Sequence, residues 1–209
     1  MQHTDDVDSF AHNGYTVRII RDVDPLNPRE EYDPASTMVC FHPRYDLGDQ
    51  HDFKDDDYSG WGEVLEAIKE RYRPVVALPL YLIDHSGISI RAGRDFVECD
   101  PQGWDSGQVG FAFVSREVAL REWGAKRVTR KVRDLAKKCL LCEIETYDQF
   151  LRGDVWGYVI ETPDGETVDS CWGFFGYEYC KSEATACVSD EPALVGGESE
   201  DTRFEATLA

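Results

Sequence analysis

Three short segments set an acid, a hydroxyl and, in two of them, a glycine beside β-like apolar runs. They are Asp84-His85-Ser86-Gly87, Trp104-Asp105-Ser106-Gly107 and Asp169-Ser170-Cys171-Trp172. An imidazole beside a carboxylate can move protons, and a neighbouring hydroxyl or thiol can serve as a nucleophile. If the chain is an enzyme, His85 with Asp84, Asp105 or Asp169 carries it. Tyr158 and Trp104 complete a pocket provided the strands near residues 80, 110 and 170 are sheet neighbours. The same residues also satisfy tight turns. On that account Gly87 and Gly107 take positive φ, and Asp84 and Asp105 accept hydrogen bonds from local amides. Residues adjacent along a turn rarely aim at one another, and no segment completes a catalytic, metal or nucleotide motif, so no residue is assigned as catalytic outright.

Metal chemistry has less to stand on. His42 and His51 flank an acidic loop at no ligand spacing, and loop carboxylates ordinarily stay hydrated. Cys139 and Cys142 lack a second pair. Steps of four and three through Val128, Val132, Leu135, Cys139 and Cys142 put both thiols on the apolar face of a helix, which predicts buried, unliganded cysteines. No metal and no cofactor is expected. Seven cysteines, an odd count, with no apolar run after a basic start and no membrane-length apolar segment, point to reduced thiols in a cytoplasm.

The elements that must position these groups follow from periodicity and breakers. TVRII (16–20) and STMVCF (36–41) read as strands around a Pro-rich loop. WGEVLEAIKERY (61–72) is an amphipathic helix stopped by Pro74. VVALPLYLI runs into the DHSG turn and out through ISI, with Pro79 favouring an edge or a bulge. VGFAFVS (109–115) is a strand ending at Ser115, an N-cap for a short helix that breaks near Gly124 before a longer one over 126–151. VWGYVIET and ETVDSCWGFF flank a Pro-Asp-Gly turn as a hairpin. With a two-residue loop, Asp169 and Cys171 share a face with Tyr158 and Ile160. Residues 1–13 and the acidic tail 189–209 read as disordered, leaving 14–188 as one α+β domain: a largely antiparallel sheet with two or three helices packed on one face.

The charge is unevenly spread. Of 209 residues, 41 are acidic and 22 basic, and the net −19 divides into −9 over 1–60, −3 over 61–115, +4 over 116–152 and −11 over 153–209. Two acidic loops stand out, one with Asp46, Asp49, Asp52, Asp55, Asp56 and Asp57, the other with Glu161, Asp164 and Glu166. Such carboxylates can imitate the phosphate array that a basic channel accepts. The basic segment, with Lys126, Arg127, Arg130, Lys131, Lys137 and Lys138, lies opposite its apolar stripe. It is either a solvated face, a contact for nucleic acid or another anionic partner, or a partner for the chain's own acidic loops.

LPLYLIDHSGISI, WDSGQVGFAFVSRE, EIETYDQFLRGDVWGYVIE and DSCWGFFGYE occur in that order over residues 15–179. They resemble a family of uncharacterised phage- and plasmid-encoded proteins sharing PLYLxDHSGI, WDSGQVGF, GDVxGY and DSCWGFxG motifs. The resemblance implies a mobile-element protein in a host cytoplasm and supplies no catalytic residues. With the charge map it leads to an expected function: an anti-defence protein, anti-restriction or anti-CRISPR, that blocks a host nuclease or other basic nucleic-acid-binding protein through a DNA-mimicking surface. The alternatives are a small hydrolase or nuclease-like enzyme using the His/Asp set, and a nucleic-acid-binding accessory using the basic helix. No membrane partner is expected, and direct nucleic-acid binding, if it occurs, belongs to the basic helix.

Overall fold

The computed structural model describes residues 6–188. Among the described residues, two four-stranded antiparallel sheets form an α+β domain with four α-helices. The first sheet has the order β1-β2-β7-β8, from β1 (Asp6–His12), β2 (Tyr15–Arg21), β7 (Val155–Glu161) and β8 (Thr167–Phe175). The second has the order β3-β6-β4-β5, from β3 (Thr37–Cys40), β6 (Ser106–Val114), β4 (Val76–Asp84) and β5 (Ile88–Ala92).

Strand β1 corrects the expectation of a disordered start. Asn13 and Gly14 both take positive φ, 48° and 84°, and close a two-residue hairpin that pairs His12 with Tyr15. Asn-Gly is the residue pair such a turn demands. Residues 1–5 and the tail 189–209 lie outside the described residues.

The second sheet is covered on both faces, not one. Along β6, Phe111 and Phe113 pack with Val64 and Ile68 of α1 (Trp61–Tyr72), whereas Ala112 and Val114 face Val132, Ala136, Leu140 and Ile144 of α3 (Arg130–Leu151). Successive residues of a strand point to opposite faces, so one buried strand serves two cores. Gly110 lets β3 approach β6: a Cβ there would stand 1.9 Å from the Val39 carbonyl oxygen. Pro79 lies in an interior strand and not at an edge: it stands opposite Phe111 of β6, one residue before the β4–β5 register begins, and its carbonyl accepts from the Gly93 amide at 2.9 Å. The first sheet packs Val17, Ile19, Trp156, Tyr158 and Ile160 against α4 (Tyr177–Cys187), a helix the sequence pattern had not marked.

The Ser115 cap falls where expected: its hydroxyl accepts from the Val118 amide at the start of α2 (Arg116–Glu122). Thr129, which the sequence reading did not single out, does the same for Val132, so α3 starts four residues later than expected. The buried stripe of α3 runs Val132, Ala136, Leu140, Ile144, Tyr147, so Val132 alone is shared with the predicted stripe. Leu135 and Cys142 are exposed, and Cys139 is half-buried with its thiol donating to Glu143. Ala136 is what the pattern hid: a small residue where helix and sheet meet closely carries little apolar signal. Among the described residues, no helix is long and apolar enough to cross a membrane.

Candidate functional site

The β4–β5 turn and the segment entering β6 lie side by side, tied by the Asp84 amide donating to the Asp105 carbonyl at 2.8 Å. This brings His85 to Asp105, with Nδ1 2.8 Å from Oδ2. Both side chains are open to water, at 73% and 47% exposure. Beside them is a cleft of about 320 Å³ lined by Phe41, His42, Arg44, Asp84, Trp104 and Asp105 among others. Trp104 is 85% exposed, an indole with almost none of its apolar area covered.

The carboxylates are not used as the turn account predicts. Asp84 accepts from the Arg44 guanidinium and, at 3.0 Å, from the Tyr45 hydroxyl. That bond to Asp84 raises the Tyr45 phenol above its ordinary range. The local amides go instead to Asp100, whose Oδ2 takes the Asp105 and Ser106 amides at 2.9 Å and the Ser106 hydroxyl at 2.8 Å. Burial pushes its carboxyl up, but these donors outweigh burial and hold it below the usual carboxylate value. Gly87 takes the positive φ expected of it, 139°, with Ser86 at 58° before it. Gly107 does not: it is a regular β6 residue opposite Leu82.

Asp169 and Tyr158 belong to the other sheet, so the six-residue pocket does not assemble. The hairpin face is as anticipated, with Tyr158 opposite Cys171 and Ile160 opposite Asp169. There the Tyr158 hydroxyl lies 3.2 Å from both Asp169 Oδ2 and Cys187 Sγ, and burial drives its phenol strongly upward. What converges is His85, Asp105, Asp84 and Trp104. Chemically this supplies an imidazole and a carboxylate. Among the described residues no hydroxyl or thiol bonds to His85, and the Ser106 hydroxyl is committed to Asp100.

A larger open cleft of about 730 Å³ adjoins the first across Phe41, His42 and Pro43, and Asp46, Asp49, His51 and Asp55 line it. His42 Nδ1 accepts the Arg44 and Tyr45 amides at 3.2 Å, and its ring stacks on Tyr45 at 4.8 Å. Burial, helped by the Arg44 charge, lowers its pKa, against a smaller opposing pull from Asp84. His51 holds the Cys40 carbonyl through Nε2 at 2.9 Å between the rings of Phe41 and Phe53. Among the described residues no group of three or more His, Cys, Asp or Glu side chains is arranged to hold a metal ion.

Three of the nine acids expected to meet a partner are occupied by arginines. Asp49 receives Arg29 through two bonds, at 2.8 and 2.6 Å, and the Met38 amide at 2.8 Å. Asp52 pairs with Arg71 at 2.5 Å and Glu161 with Arg18 at 3.0 Å. Asp46, Asp55, Asp56, Asp57, Asp164 and Glu166 are exposed and have no cation partner among the described residues. Asp55–Asp57 form a single 3₁₀ turn. Every one of Lys126, Arg127, Arg130, Lys131, Lys137 and Lys138 is exposed.

Arg29, Arg44, Tyr45 and Asp100 escaped the sequence analysis. Arg44 is one of two cations, with Lys54, in an acidic loop, which was a usable signal. The partners of Arg29 and Asp100 are set by loop paths that no periodicity encodes. By fold the chain is an antiparallel α+β protein. No family model, curated protein or solved structure matches it.

Proposed function

We propose that this chain is a non-enzymatic binding protein of a mobile element, acting in a host cytoplasm, that blocks a basic host nucleic-acid enzyme through its acidic surface. The observation that carries this is the turn Asp55-Asp56-Asp57. Three consecutive carboxylates stand exposed without a cation partner among the described residues, and Asp55 and Asp46 line one cleft. Adjacent like charges work against the fold, and a channel lined with lysine and arginine is the surface that turns this repulsion into attraction. The anti-restriction or anti-CRISPR setting comes from the resemblance to phage and plasmid proteins.

The test is a plasmid-cleavage assay with a restriction or CRISPR nuclease, titrated with wild type, with Asp55→Lys/Asp56→Lys/Asp57→Lys and with His85→Ala. Wild type and His85→Ala inhibit equally, and the triple variant is weaker by about tenfold or more. A second reading, a small hydrolase or nuclease-like enzyme, draws on the 2.8 Å His85–Asp105 contact beside its cleft. Loss of activity in His85→Ala with full activity in the triple lysine variant replaces the first reading by the second.

A further inference from the structure

Nine cations crowd the segment from α2 to the middle of α3: Arg116, Arg121, Lys126, Arg127, Arg130, Lys131, Arg133, Lys137 and Lys138, and all are exposed. Among the described residues one ion pair involves any of them, Arg130 with Asp134 at 3.8 Å. The fold does not need this charge, because α3 is held by its buried stripe on the opposite side. Two features make it unfavourable for the helix. The first turn of α3 has no acidic residue to meet the positive end of the helix dipole, only cations. Arg130 and Arg133 at i,i+3, and Arg133 and Lys137 at i,i+4, are like-charge neighbours. Solubility does not require it either, since a chain of net −19 moves toward zero with each added lysine.

The placement is equally informative. α3 packs on one face of the second sheet, and the Asp55–Asp57 turn leads into α1 on the other, with Phe53 and Tyr58 in the α1 core. The sheet stands between the acidic turn and the basic helix, and among the described residues no ion pair links them. An interface with a folded protein has an apolar centre inside a charged rim. Between Arg130 and Lys138, Leu135 is the one large apolar side chain that is exposed, at 36%. Over that span the face is almost purely charge on flexible stems, and Leu141, 41% exposed, follows one turn past Lys137. Lys131 and Lys138, like Arg130 and Lys137, are seven residues apart and so about 10 Å apart along the axis. That composition suits a backbone recognised through its phosphates.

We infer that the α2–α3 face is a nucleic-acid-binding surface that contacts the phosphate backbone without reading sequence. It is independent of the acidic surface, so failure to inhibit a nuclease leaves it standing. The probes are a fluorescein-labelled DNA duplex of about 20 base pairs and a single-stranded RNA of about 20 nucleotides, followed by anisotropy. With about five phosphates neutralised, duplex affinity falls about 500-fold between roughly 50 and 200 mM NaCl, a log–log slope near −4.5. Lys131→Ala/Lys137→Ala/Lys138→Ala, at exposed helix positions where alanine is well tolerated, brings the slope to about −2 and weakens binding at low salt by tenfold or more. Asp55→Lys/Asp56→Lys/Asp57→Lys binds at least as tightly as wild type. The inference is overturned if neither probe binds at about 50 mM NaCl, or if the lysine-to-alanine variant keeps the wild-type slope. It is also overturned if sedimentation shows a low-salt dimer that this variant abolishes while neither probe binds, which makes a second copy the occupant.

Discussion

Replacing Arg29 with methionine removes a guanidinium that ties three distant segments together. Its side chain is 1% exposed, it grips Asp49 with two hydrogen bonds, donates to the Ser36 carbonyl at 2.7 Å, and lies 3.6 Å from Glu143 of α3. Glu143 in turn accepts the Ala35 and Ser36 amides at 2.8 and 2.9 Å. Methionine fills a similar volume, so the loss is electrostatic: two carboxylates lose the cation they share. Breaking a buried pair from one side costs about 3–5 kcal/mol. Asp49 and Glu143 remain 21% and 20% exposed, and water screens them in part, which selects the lower end. A loss of about 3 kcal/mol lowers the melting temperature by roughly 6–12 °C in a chain of this size. Differential scanning calorimetry on wild type and Arg29→Met measures it. Arg29→Lys should be intermediate, because an ammonium cannot reproduce the two-pronged contact. Adding Asp49→Asn to Arg29→Met should recover part of the loss, since the stranded charge disappears while the amide oxygen still accepts from Met38. A melting point for Arg29→Met within about 2 °C of wild type refutes the assignment of this network as a structural centre.

Gly110→Ala drives a methyl into the Val39 carbonyl and should cost about 3 kcal/mol or more in urea unfolding; an unchanged midpoint means β3 and β6 are not so closely apposed. Asp8 is held below its ordinary value of 3.8, first by its bonds to Lys181 and Tyr177. As pH falls the unfolded chain takes up this proton first. The contact therefore contributes fully above about pH 4 and is lost as pH drops through the lower folded value. Asp8→Asn should flatten the acid limb of stability against pH, and an unaltered limb counts against the contact. Cys99, Cys142, Cys171 and Cys187 are exposed, whereas Cys40 and Cys180 are buried with thiols pushed up to about 12 by desolvation. Brief alkylation read by mass spectrometry should label the first four and spare the other two, and early modification of Cys40 contradicts its burial.

The sequence alone determined whatever depends on neighbours within a turn or a repeat. Helix α1 was readable because Val64, Leu65 and Ile68 recur at helical spacing and Pro74 stops them. The Ser115 cap and the β7–β8 hairpin were readable for the same local reason, and so was the division of charge along the chain. The Asn13-Gly14 turn was equally available and was overridden by the acidity around it. Tertiary structure decided what depends on which strands lie side by side. It placed Asp169 in a different sheet from His85, delivered Arg44 to Asp84 across 40 residues, and spent Asp49, Asp52 and Glu161 on arginines. It also put the acidic turn and the basic helix on opposite faces of one sheet. A strand exposes two faces with a period of two, and sequence marks that alternation. Which helix covers each face, and which loop ends beside which turn, is set by long-range packing whose energy is spread over many small contacts and leaves no local mark.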